Sequence, residues 1–461
     1  MNQRSDMPAH AAAGETAAYR DPERLLQDLI HFDTTNPPGN EAECVRYIEQ
    51  LLAGAGFQAV LLGRQPDRPN LITRLPGRGA APPLLLHGHV DVVTTANQKW
   101  THPPFEGKVA DGYIWGRGTL DMKGGVAMML AALLRAKAES FVPAGDVVLA
   151  ILCDEETGSD LGSKYLVENH PEHFRNIRYA ISEGGGFAIY IGKRKLYPIM
   201  VTEKQLCTMR ATVCGAGGHG SMPVRGGAMA RLARLIQRLD RRRLPVRITP
   251  ATRLTVEGAS KALPFPANLV LRQTLNPLMT DRILALFGPG RTALDPLFRN
   301  TVAATVVHAS DKFNVIPSEI TIELDGRLLP GCSPEQFTAE LRHVIGHDVM
   351  LEVIRYDPGP AEPDMGWFDT LAGILRQADA EGTVFPLLFS GVSDARFFRR
   401  LGIQTYGFTP IPLPRHLRAW ELGHGPDERV PVGAIRFGTD AIYEALKRYG
   451  AACPTDPLGS H

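Results

Sequence analysis

The sequence lacks any pair of cysteines at the spacing of a zinc knuckle or a redox motif. Its six cysteines are scattered through 461 residues, so neither a thiolate zinc site nor a disulfide framework is expected, and free thiols are predicted. It also lacks an excess of either charge, since 50 Lys and Arg accompany 49 Asp and Glu. This balance argues against a nucleic acid or an anionic membrane as partner.

Long apolar runs are missing as well. No window approaches the roughly 20 apolar residues that a membrane helix needs. The first twenty residues are interrupted by Arg4, Asp6, His10 and Glu15, unlike a signal peptide. We therefore expect a cytoplasmic protein with no membrane contact, and a disordered tail over residues 1–20.

What the sequence does contain is typical of a globular enzyme. Apolar residues make up 44%, charged residues 21%, and glycine occurs 46 times, a composition that disordered and fibrous proteins do not have. The length exceeds what one hydrophobic core usually supports, so two domains are expected. With no polymeric partner indicated, the expected ligand is a small molecule.

The order of predicted elements indicates an α/β domain with an insertion. Helices alternate with buried strands over residues 21–204, and the same pattern returns over 358–461. Such alternation predicts a sheet whose sites lie beyond the strand ends. Over residues 205–357 the pattern becomes strand, basic helix, two strands, helix and strand, which predicts an inserted α+β module. The part between about 245 and 305 has no pattern that indicates chemistry.

The stretch Leu84–Val93, LLLHGHVDVV, carries the first candidate site. If it is a strand, its two-residue period turns His87, His89 and Asp91 to one face. A neutral imidazole is a preferred zinc ligand, and a carboxylate two residues on can accept its other ring N–H. A buried histidine bonded to an aspartate is also common in structural cores, so this stretch alone leaves both interpretations open.

Further acids and a histidine stand near the ends of other predicted elements. Asp121 precedes a helix, Glu155 and Glu156 follow a buried strand, Glu183 ends another strand, and His424 lies in a glycine-containing turn. Taken singly, Asp121 could be a helix N-cap and the acids a solvated loop. Consecutive acids at a strand end repel one another unless a cation neutralises them. Together the set offers nitrogen and oxygen ligands for two divalent cations, which suits catalytic zinc.

Eight motifs carry a family resemblance. In chain order they read HGHVD, GRGTLDMKGG, DEETGS, SEGGG, GGHGSMP, NVIP, SDARF and HGPDERV. They resemble the co-catalytic zinc aminoacylase and carboxypeptidase family, relatives of aminoacylase, carboxypeptidase S and succinyl-diaminopimelate desuccinylase. The resemblance spans residues 26–445. It implies a zinc-peptidase-like catalytic domain with a mixed, mostly parallel sheet over 21–204 and 358–461, and an inserted α+β lid or dimerisation domain over 205–357.

The resemblance also implies how two metal ions are bound. Asp121 would bridge both ions. His89 and Glu183 would complete one site, and Glu156 and His424 the other. The expected ions are zinc, with cobalt or manganese as alternatives.

Further roles follow from the same resemblance. Glu155 would be the general base, and Asp91 would hold the metal-binding His89. The peptide bond between Asp121 and Met122 would be cis, which is rare outside proline. His87 is left as a packed residue with no assigned role.

Substrate recognition is expected to involve the inserted module and a later loop. His219 would donate to the oxyanion in the active site of a partner subunit, which implies a homodimer through the inserted domain; its alternative is a surface histidine. Arg327 could hold a substrate carboxylate or be a strand-surface charge. The full set of expected substrate-binding residues is Asn314, Arg327, Gly391, Ser393 and Arg396.

The predicted function is hydrolysis of the amide bond of an N-acyl amino acid or a small peptide with a free carboxylate. Water activated by two metals would attack the carbonyl, and Glu155 would transfer its proton. One alternative is a dipeptidase or aminopeptidase-like activity within the same family. The other is a catalytically silent protein that binds an amino-acid derivative, against which the retained base and the full ligand set count.

Overall fold

The computed structural model describes residues 15–450, and the chain forms two compact units. The first comprises the residues up to 201, residues 364–386 and those from 393 onward, and the second comprises residues 202–363 and 387–392. Most of the expected disordered tail lies outside the described residues. Glu15–Arg20, however, form a 3-10 helix, because Ala18 and Tyr19 pack against the core of the first unit.

Fourteen α-helices lie within the described residues. They are α1 Pro22–Ile30, α2 Ala42–Gly54, α3 Lys123–Ala138, α4 Ser163–Asn169, α5 Ala228–Arg241, α6 Pro250–Lys261, α7 Ala267–Gln273, α8 Pro277–Leu286, α9 Arg291–Leu294, α10 Pro334–Ile345, α11 Phe368–Ala378, α12 Ala395–Phe398, α13 Ala419–Leu422 and α14 Val432–Arg448. None of these helices combines the length and apolar character needed to cross a bilayer.

Eighteen strands occur over the same range. They are β1 Ala59–Leu62, β2 Asn70–Leu75, β3 Leu84–His89, β4 Lys108–Ala110, β5 Tyr113–Trp115, β6 Val147–Leu152, β7 Tyr179–Ser182, β8 Ile189–Ile191, β9 Arg194–Glu203, β10 Gln205–Cys214, β11 Gly218–His219, β12 Thr301–His308, β13 Val315–Ile316, β14 Glu319–Leu328, β15 Met350–Tyr356, β16 Gly382–Phe389, β17 Gln404–Gly407 and β18 Arg429–Pro431.

The main sheet is mixed with a parallel centre, which confirms the predicted fold class. Its order is β1-β2-β6-β3-β7-β17-β9-β16, with β8 beside β9. The four central strands β6, β3, β7 and β17 are mutually parallel. Parallel strands are buried on both faces, which explains why β6 reads VVLAIL and is buried throughout.

Helices cover the parallel strands on both faces. Leu84 and Leu86 of β3 join a core cluster with α1, α3 and α14, whereas Leu85 joins a second cluster with α4 and α12. This alternation follows from the two-residue period of a strand. The helix α3, KGGVAMMLAALLRAKA, is buried on nearly every side, so it packs as a central helix of the first cluster.

The expected strand at Leu84–Val93 is shorter in the structure. β3 ends at His89, and Asp91 lies beyond it. The chain leaves the main sheet here because Val92 forms a parallel bridge with Thr35 instead. The two-residue period therefore relates His87 to His89 but does not extend to Asp91.

The second unit contains a four-stranded antiparallel sheet of order β12-β14-β10-β15. Buried and partly exposed residues alternate along β10 and β14, and the helices α5 and α10 pack against this sheet. The region without an interpretable pattern, about 245–305, contains α6 to α9. These helices were missed because several are short and begin at prolines within turn-like sequence.

Lys204 is buried in the second unit, only 1% exposed. Its Nζ donates to the backbone oxygen of Arg299 at 2.9 Å and to Thr301 Oγ1 at 3.0 Å. Burial, aided by the positive charge of Arg327, lowers the pKa of Lys204 from 10.5 to about 7. Between these two values the unfolded chain binds the extra proton, so the free energy of unfolding should rise with pH.

Replacing Lys204 with methionine should remove this part of the pH dependence. Urea unfolding at about pH 7 and about pH 9 should show a larger gain in stability with pH for the wild type than for Lys204→Met. The exposed Lys193 provides the control, since Lys193→Met should behave as the wild type. Equal pH slopes in all three proteins would contradict a depressed pKa at Lys204.

Candidate metal centre

Three neighbouring strands of the first unit bring predicted site residues to one edge of the sheet. β3 ends at His89, Glu155 and Glu156 follow β6 in a 3-10 turn, and Glu183 directly follows β7. Because these strands are parallel, their carboxyl ends meet at the same edge. One ligand atom from each of His89, Glu155 and Glu183 lies within 4.8 Å of the others. The same holds for His89, Asp121 and Glu156.

Asp121 stands between two histidines. Its Oδ1 is 3.3 Å from His89 Nε2, and its Oδ2 is 3.1 Å from His424 Nε2. A further carboxylate accompanies each histidine: Glu183 Oε2 is 3.7 Å from His89 Nε2, and Glu156 Oε2 is 3.3 Å from His424 Nε2. The two oxygens of Asp121 therefore face two different groups, each with one imidazole and one more carboxylate.

The imidazole of His89 is oriented by the backbone of Asp91. His89 Nδ1 lies 3.0 Å from the backbone oxygen of Asp91 and 3.4 Å from its Oδ1. A carbonyl oxygen can only accept, so the neutral ring carries its proton on Nδ1 and keeps a lone pair on Nε2. The backbone oxygen, more than the carboxylate that the sequence suggested, is the nearest acceptor for this N–H.

The carboxylate of Asp91 instead holds the turn after β6. It accepts the backbone N–H groups of Glu155 and Glu156, each at 3.1 Å. The amide of Asn36 donates to Asp91 Oδ2 at 2.8 Å and to Asp154 Oδ1 at 3.2 Å. Burial by itself raises the pKa of Asp91, but the adjacent imidazole and these hydrogen bonds outweigh it and hold the pKa below its usual value. The carboxylate is thus kept ionised beneath the turn.

Asp154 fixes the same turn from its other side. Its backbone is left-handed, with φ 67°, and its Oδ2 accepts the N–H of Leu161 at 3.0 Å. Arg68 NH1 lies 3.2 Å from Asp154 Oδ1, and the same guanidinium makes two hydrogen bonds to the buried Glu41, at 3.0 and 2.7 Å. Removing one partner of such a buried network typically costs about 3–5 kcal/mol, so the turn is rigidly anchored.

A second buried ion pair joins the two loops that carry Asp121 and His424. Glu428 accepts the N–H of Asp121 at 3.1 Å and pairs with Arg117 NH1 at 2.6 Å. Arg117 NH2 in turn donates to the backbone oxygen of His424 at 3.3 Å. The peptide bond between Asp121 and Met122 is cis, as the resemblance implied.

The metal centre holds several carboxyl groups close together at buried positions, where their charged forms are unfavourable. Burial raises the pKa of Glu183 to about 8, and the charge of Asp121 adds to this effect. Burial and the charge of Glu183 likewise raise the pKa of Glu155 well above its usual value. Hydrogen bonds to Asp121 and Glu156 raise the pKa of His424 to about 10. Without a cation, protons must compensate the repulsion among these carboxylates.

The residues fit divalent metal ions. Carboxylate oxygens and imidazole nitrogens are suitable ligands for zinc and for similar cations. His89 Nε2 and Glu156 Oε1 are buried and have no hydrogen-bond partner, although buried polar atoms are normally satisfied. Both atoms belong to the cluster, so a cation there would satisfy them and replace the protons that the carboxylates otherwise retain.

Two expected substrate-binding residues lie in the first unit at buried positions. Ser393 is fully buried, and its Oγ accepts the N–H of Ala395 at 3.3 Å. Arg396 is 4% exposed, and its NH2 donates to Ser159 Oγ at 3.2 Å. Ser159 directly follows the turn that carries Glu155, so this segment is bonded to the neighbourhood of the metal centre.

The remaining predicted site residues belong to the second unit. His219 is exposed on β11, and its Nδ1 accepts the N–H of Ser221 at 3.2 Å. In its neutral form the ring therefore carries its proton on Nε2. The backbone oxygen of Asn314 accepts the N–H of Gly220 at 2.8 Å, which places Asn314 beside the histidine strand.

Arg327 is engaged by its own strand. Its Nε and NH2 bind the two carboxylate oxygens of Asp325 at 2.7 and 2.9 Å. A substrate carboxylate would have to replace Asp325 in order to bind the two guanidinium nitrogens of Arg327. The pair with Asp325 is also what the alternative, a charge on the strand surface, would show. Gly391 also belongs to the second unit.

His87 is buried without any of the roles that its motif suggested. Neither ring nitrogen has a hydrogen-bond partner, and the ring packs 4.5 Å from that of Phe398. Burial lowers the pKa of His87 to about 3. The imidazole is therefore neutral and behaves as a packed aromatic side chain, in agreement with the prediction.

Sequence reasoning missed the residues that hold the ligands in place. Asn36, Arg68, Arg117 and Glu428 each contact a turn or loop of the centre, but none was assigned a role. The sequence feature that could have identified three of them is their position in turn or motif segments. Asn36 lies in TTNPPGN, Arg117 in GRGTLD and Glu428 in HGPDERV. Their partners are distant in the chain, so spacing could not reveal the pairs.

Known proteins resemble this chain in sequence. It is 30% identical over 378 residues to a probable carboxypeptidase S-like protein of Dictyostelium discoideum, which covers 79% of this chain and 71% of that protein. It is 28% identical to human N-fatty-acyl-amino acid synthase/hydrolase, over 79% of this chain and 74% of the human protein. A succinyl-diaminopimelate desuccinylase of Cereibacter sphaeroides is 34% identical over 48% of this chain and 56% of the desuccinylase.

Solved structures share the fold. An M20 family metallo-carboxypeptidase from Sulfolobus solfataricus superposes with a TM-score of 0.66 at 16% identity, covering 93% of this chain and 99% of that one. Human carnosine dipeptidase 1 superposes with a TM-score of 0.64 at 15% identity, over 95% and 97% of the two chains. At these identities the comparison concerns the fold alone.

The family assignment rests on sequence over most of the chain. The model of the peptidase family M20/M25/M40 matches residues 85–448, a range that contains the whole carboxylate and histidine cluster. The named relatives and the family resemblance of the motifs agree with this match. The chain is therefore a hydrolase that belongs to peptidase family M20/M25/M40.

Proposed function

We propose that the chain is a metal-dependent amidohydrolase that cleaves the amide bond of an N-acyl amino acid or a small peptide with a free carboxylate. The observation that carries this proposal is the placement of Asp121, whose two oxygens face His89 and His424. The carboxypeptidase S-like, fatty-acyl-amino acid and desuccinylase relatives are named for activity on peptides or acylated amino acids, which supports the same substrate class.

Asp121 would be shared by two metal ions, for which we propose zinc. His89 and Glu183 would complete one set of ligands, and Glu156 and His424 the other. When bound, such ions polarise an amide carbonyl and lower the pKa of water. The support for two ions is the excess of buried carboxylates, which two divalent charges would neutralise.

Glu155 would act as the general base. Its backbone N–H is held by Asp91, so the side chain starts from a fixed point beside the cluster. Burial is the largest cause of its raised pKa, and burial favours uptake of a proton relative to an exposed glutamate. In the proposed reaction Glu155 accepts the proton of the attacking water and delivers it to the leaving nitrogen.

The second unit would complete the enzyme as a lid and dimerisation domain, and the first unit would be the catalytic domain. His219 would donate its Nε2–H to the oxyanion in the active site of a partner subunit. The support is the neutral ring form that Ser221 favours. Asn314, Arg327, Gly391, Ser393 and Arg396 would bind the substrate. The cysteines in the described part of the chain, Cys44, Cys153, Cys207, Cys214 and Cys332, are free thiols, which supports the proposal of a reducing, cytoplasmic setting.

A substrate panel with metal analysis tests this proposal. We expect the purified chain to retain stoichiometric divalent metal after dialysis and to hydrolyse at least one N-acyl amino acid. A chelator should abolish this activity, and added zinc should restore it. Hydrolysis of dipeptides alone would indicate a dipeptidase. Saturable binding of N-acyl amino acids by the metal-loaded chain without turnover would indicate a binding protein.

A further inference from the structure

One serine connects the turn that carries Glu155 to the segment Ser393–Arg396. Ser159 Oγ donates to Asp394 Oδ1 at 2.7 Å and accepts a hydrogen bond from Arg396 NH2 at 3.2 Å. Ser159 is fully buried, and Asp394 and Arg396 are at most 4% exposed. Water therefore does not compete for these bonds, and they hold the two segments in a defined relation.

Ser159 is also fixed within its own turn. Its N–H donates to the backbone oxygen of Asp154 at 2.6 Å, and its backbone oxygen accepts the N–H groups of Gly162 and Lys164, both at 3.2 Å. Asp154 in turn is bonded to Asn36. The Asp394 segment is therefore hydrogen-bonded through Ser159 to a turn that is itself held by several hydrogen bonds.

Ser163 offers a natural comparison. Its hydroxyl donates to the same Oδ1 atom of Asp394, but it stands at the first residue of α4, beyond the turn. Both serines thus satisfy the buried carboxylate, and only Ser159 connects it to the residues that immediately follow Glu155. Loss of either hydroxyl leaves Asp394 with one hydrogen-bonded serine, but loss of Ser159 also removes the hydrogen bond from Arg396.

We propose that Ser159 is a positioning residue that couples the substrate-carboxylate segment at Ser393–Arg396 to the turn carrying Glu155. This inference rests on the proposed function, because it assumes that the segment binds a free carboxylate. Through Ser159, correct seating of the carboxylate would set the distance between the scissile amide and the base. Ser159 would therefore contribute to the preference for substrates that end in a free carboxylate, without touching the reacting atoms.

The test compares Ser159→Ala with Ser163→Ala on two substrates, an N-acyl amino acid and its carboxamide. Ser159→Ala should lower kcat/KM for the free acid by at least about 10-fold, because loss of the hydroxyl removes its hydrogen bonds with both Asp394 and Arg396, which are charged groups. Activity on the carboxamide should change by less than about 2-fold, so the ratio between the two substrates falls. Ser163→Ala should leave this ratio at the wild-type value.

Metal content and melting temperature are measured for both variants. If Ser159→Ala does not fold, Ser159→Gly serves instead, because the φ of 66° at this position suits glycine. Equal loss on both substrates, or equal effects of the two serine variants, would overturn the inference while the proposed function stands. A wild-type chain that hydrolyses no N-acyl amino acid would overturn the proposed function, and the inference with it.

Discussion

Replacing Glu155 with glutamine should lower kcat by about 10²–10⁴-fold while the metal ions remain bound. The amide keeps the size of the side chain but cannot accept a proton from water. The proposed ligand set does not include Glu155, and its backbone stays bonded to Asp91, so the turn should keep its shape. Steady-state kinetics on an N-acyl amino acid, with metal analysis of the same sample, measure both quantities.

The exposed Glu106 provides the matched control. Glu106→Gln should retain wild-type kcat, because this residue lies in the first unit but belongs to none of the contacts of the metal centre. A Glu155→Gln variant with full turnover would remove the general-base assignment. A variant that loses its metal would instead show that Glu155 is a ligand.

The same variant tests the proposed role of His219. If His219 serves the active site of a partner subunit, Glu155→Gln and His219→Ala are inactive for different reasons. Mixing and reassembling the two proteins should then produce dimers with one complete site and recover activity. No recovery, despite proven subunit exchange, would contradict the role in trans.

Replacing Asp121 with alanine should abolish binding of both metal ions and lower kcat/KM by at least about 10³-fold. The loss follows because Asp121 supplies one oxygen to each proposed ligand set, and metal ions contribute several kcal/mol to transition-state stabilisation. Metal analysis after dialysis and kinetics with added zinc provide the measurement. Thermal unfolding gives a third readout, since zinc should raise the melting temperature of the wild type and not that of the variant.

His424→Ala separates a shared ligand from an unshared one. His424 is 60% exposed and faces only one oxygen of Asp121, so this variant should lose one ion and keep the ion at His89. An Asp121→Ala protein that still binds metal as tightly as His424→Ala does would contradict the bridging role.

Much of the fold could be predicted because its signals are local. The alternation of helices with buried strands predicted the α/β sheet, because a buried parallel strand is a continuous apolar run, as in β6. The start of α10 also has a local signal, since Ser333 forms a full capping box and a proline follows it. The helices α6 to α9 escaped prediction because several are short and begin at prolines within turn-like sequence.

The ligand cluster could be predicted for a related reason. Parallel strands place their carboxyl ends together, so residues at successive strand ends become neighbours even when they are distant in the chain. The hydrogen bonds of the Asp91 carboxylate could not be predicted from the positions of strand ends. Its carboxylate lies beyond β3 and holds the turn after β6, which depends on where the chain leaves the sheet.

The sequence was sufficient for the residue types, the strand-end positions and the family motifs of the centre, and the resemblance already implied a shared role for Asp121. The tertiary structure was needed to show that the Asp91 carboxylate holds the turn of Glu155 and that Arg117 pairs with Glu428. The physical reason is that burial and hydrogen-bond direction depend on the surrounding fold. The spacing of residues along the chain shows the periodicity within one helix or strand. It does not show which distant loop will place a buried charged side chain beside one of opposite charge.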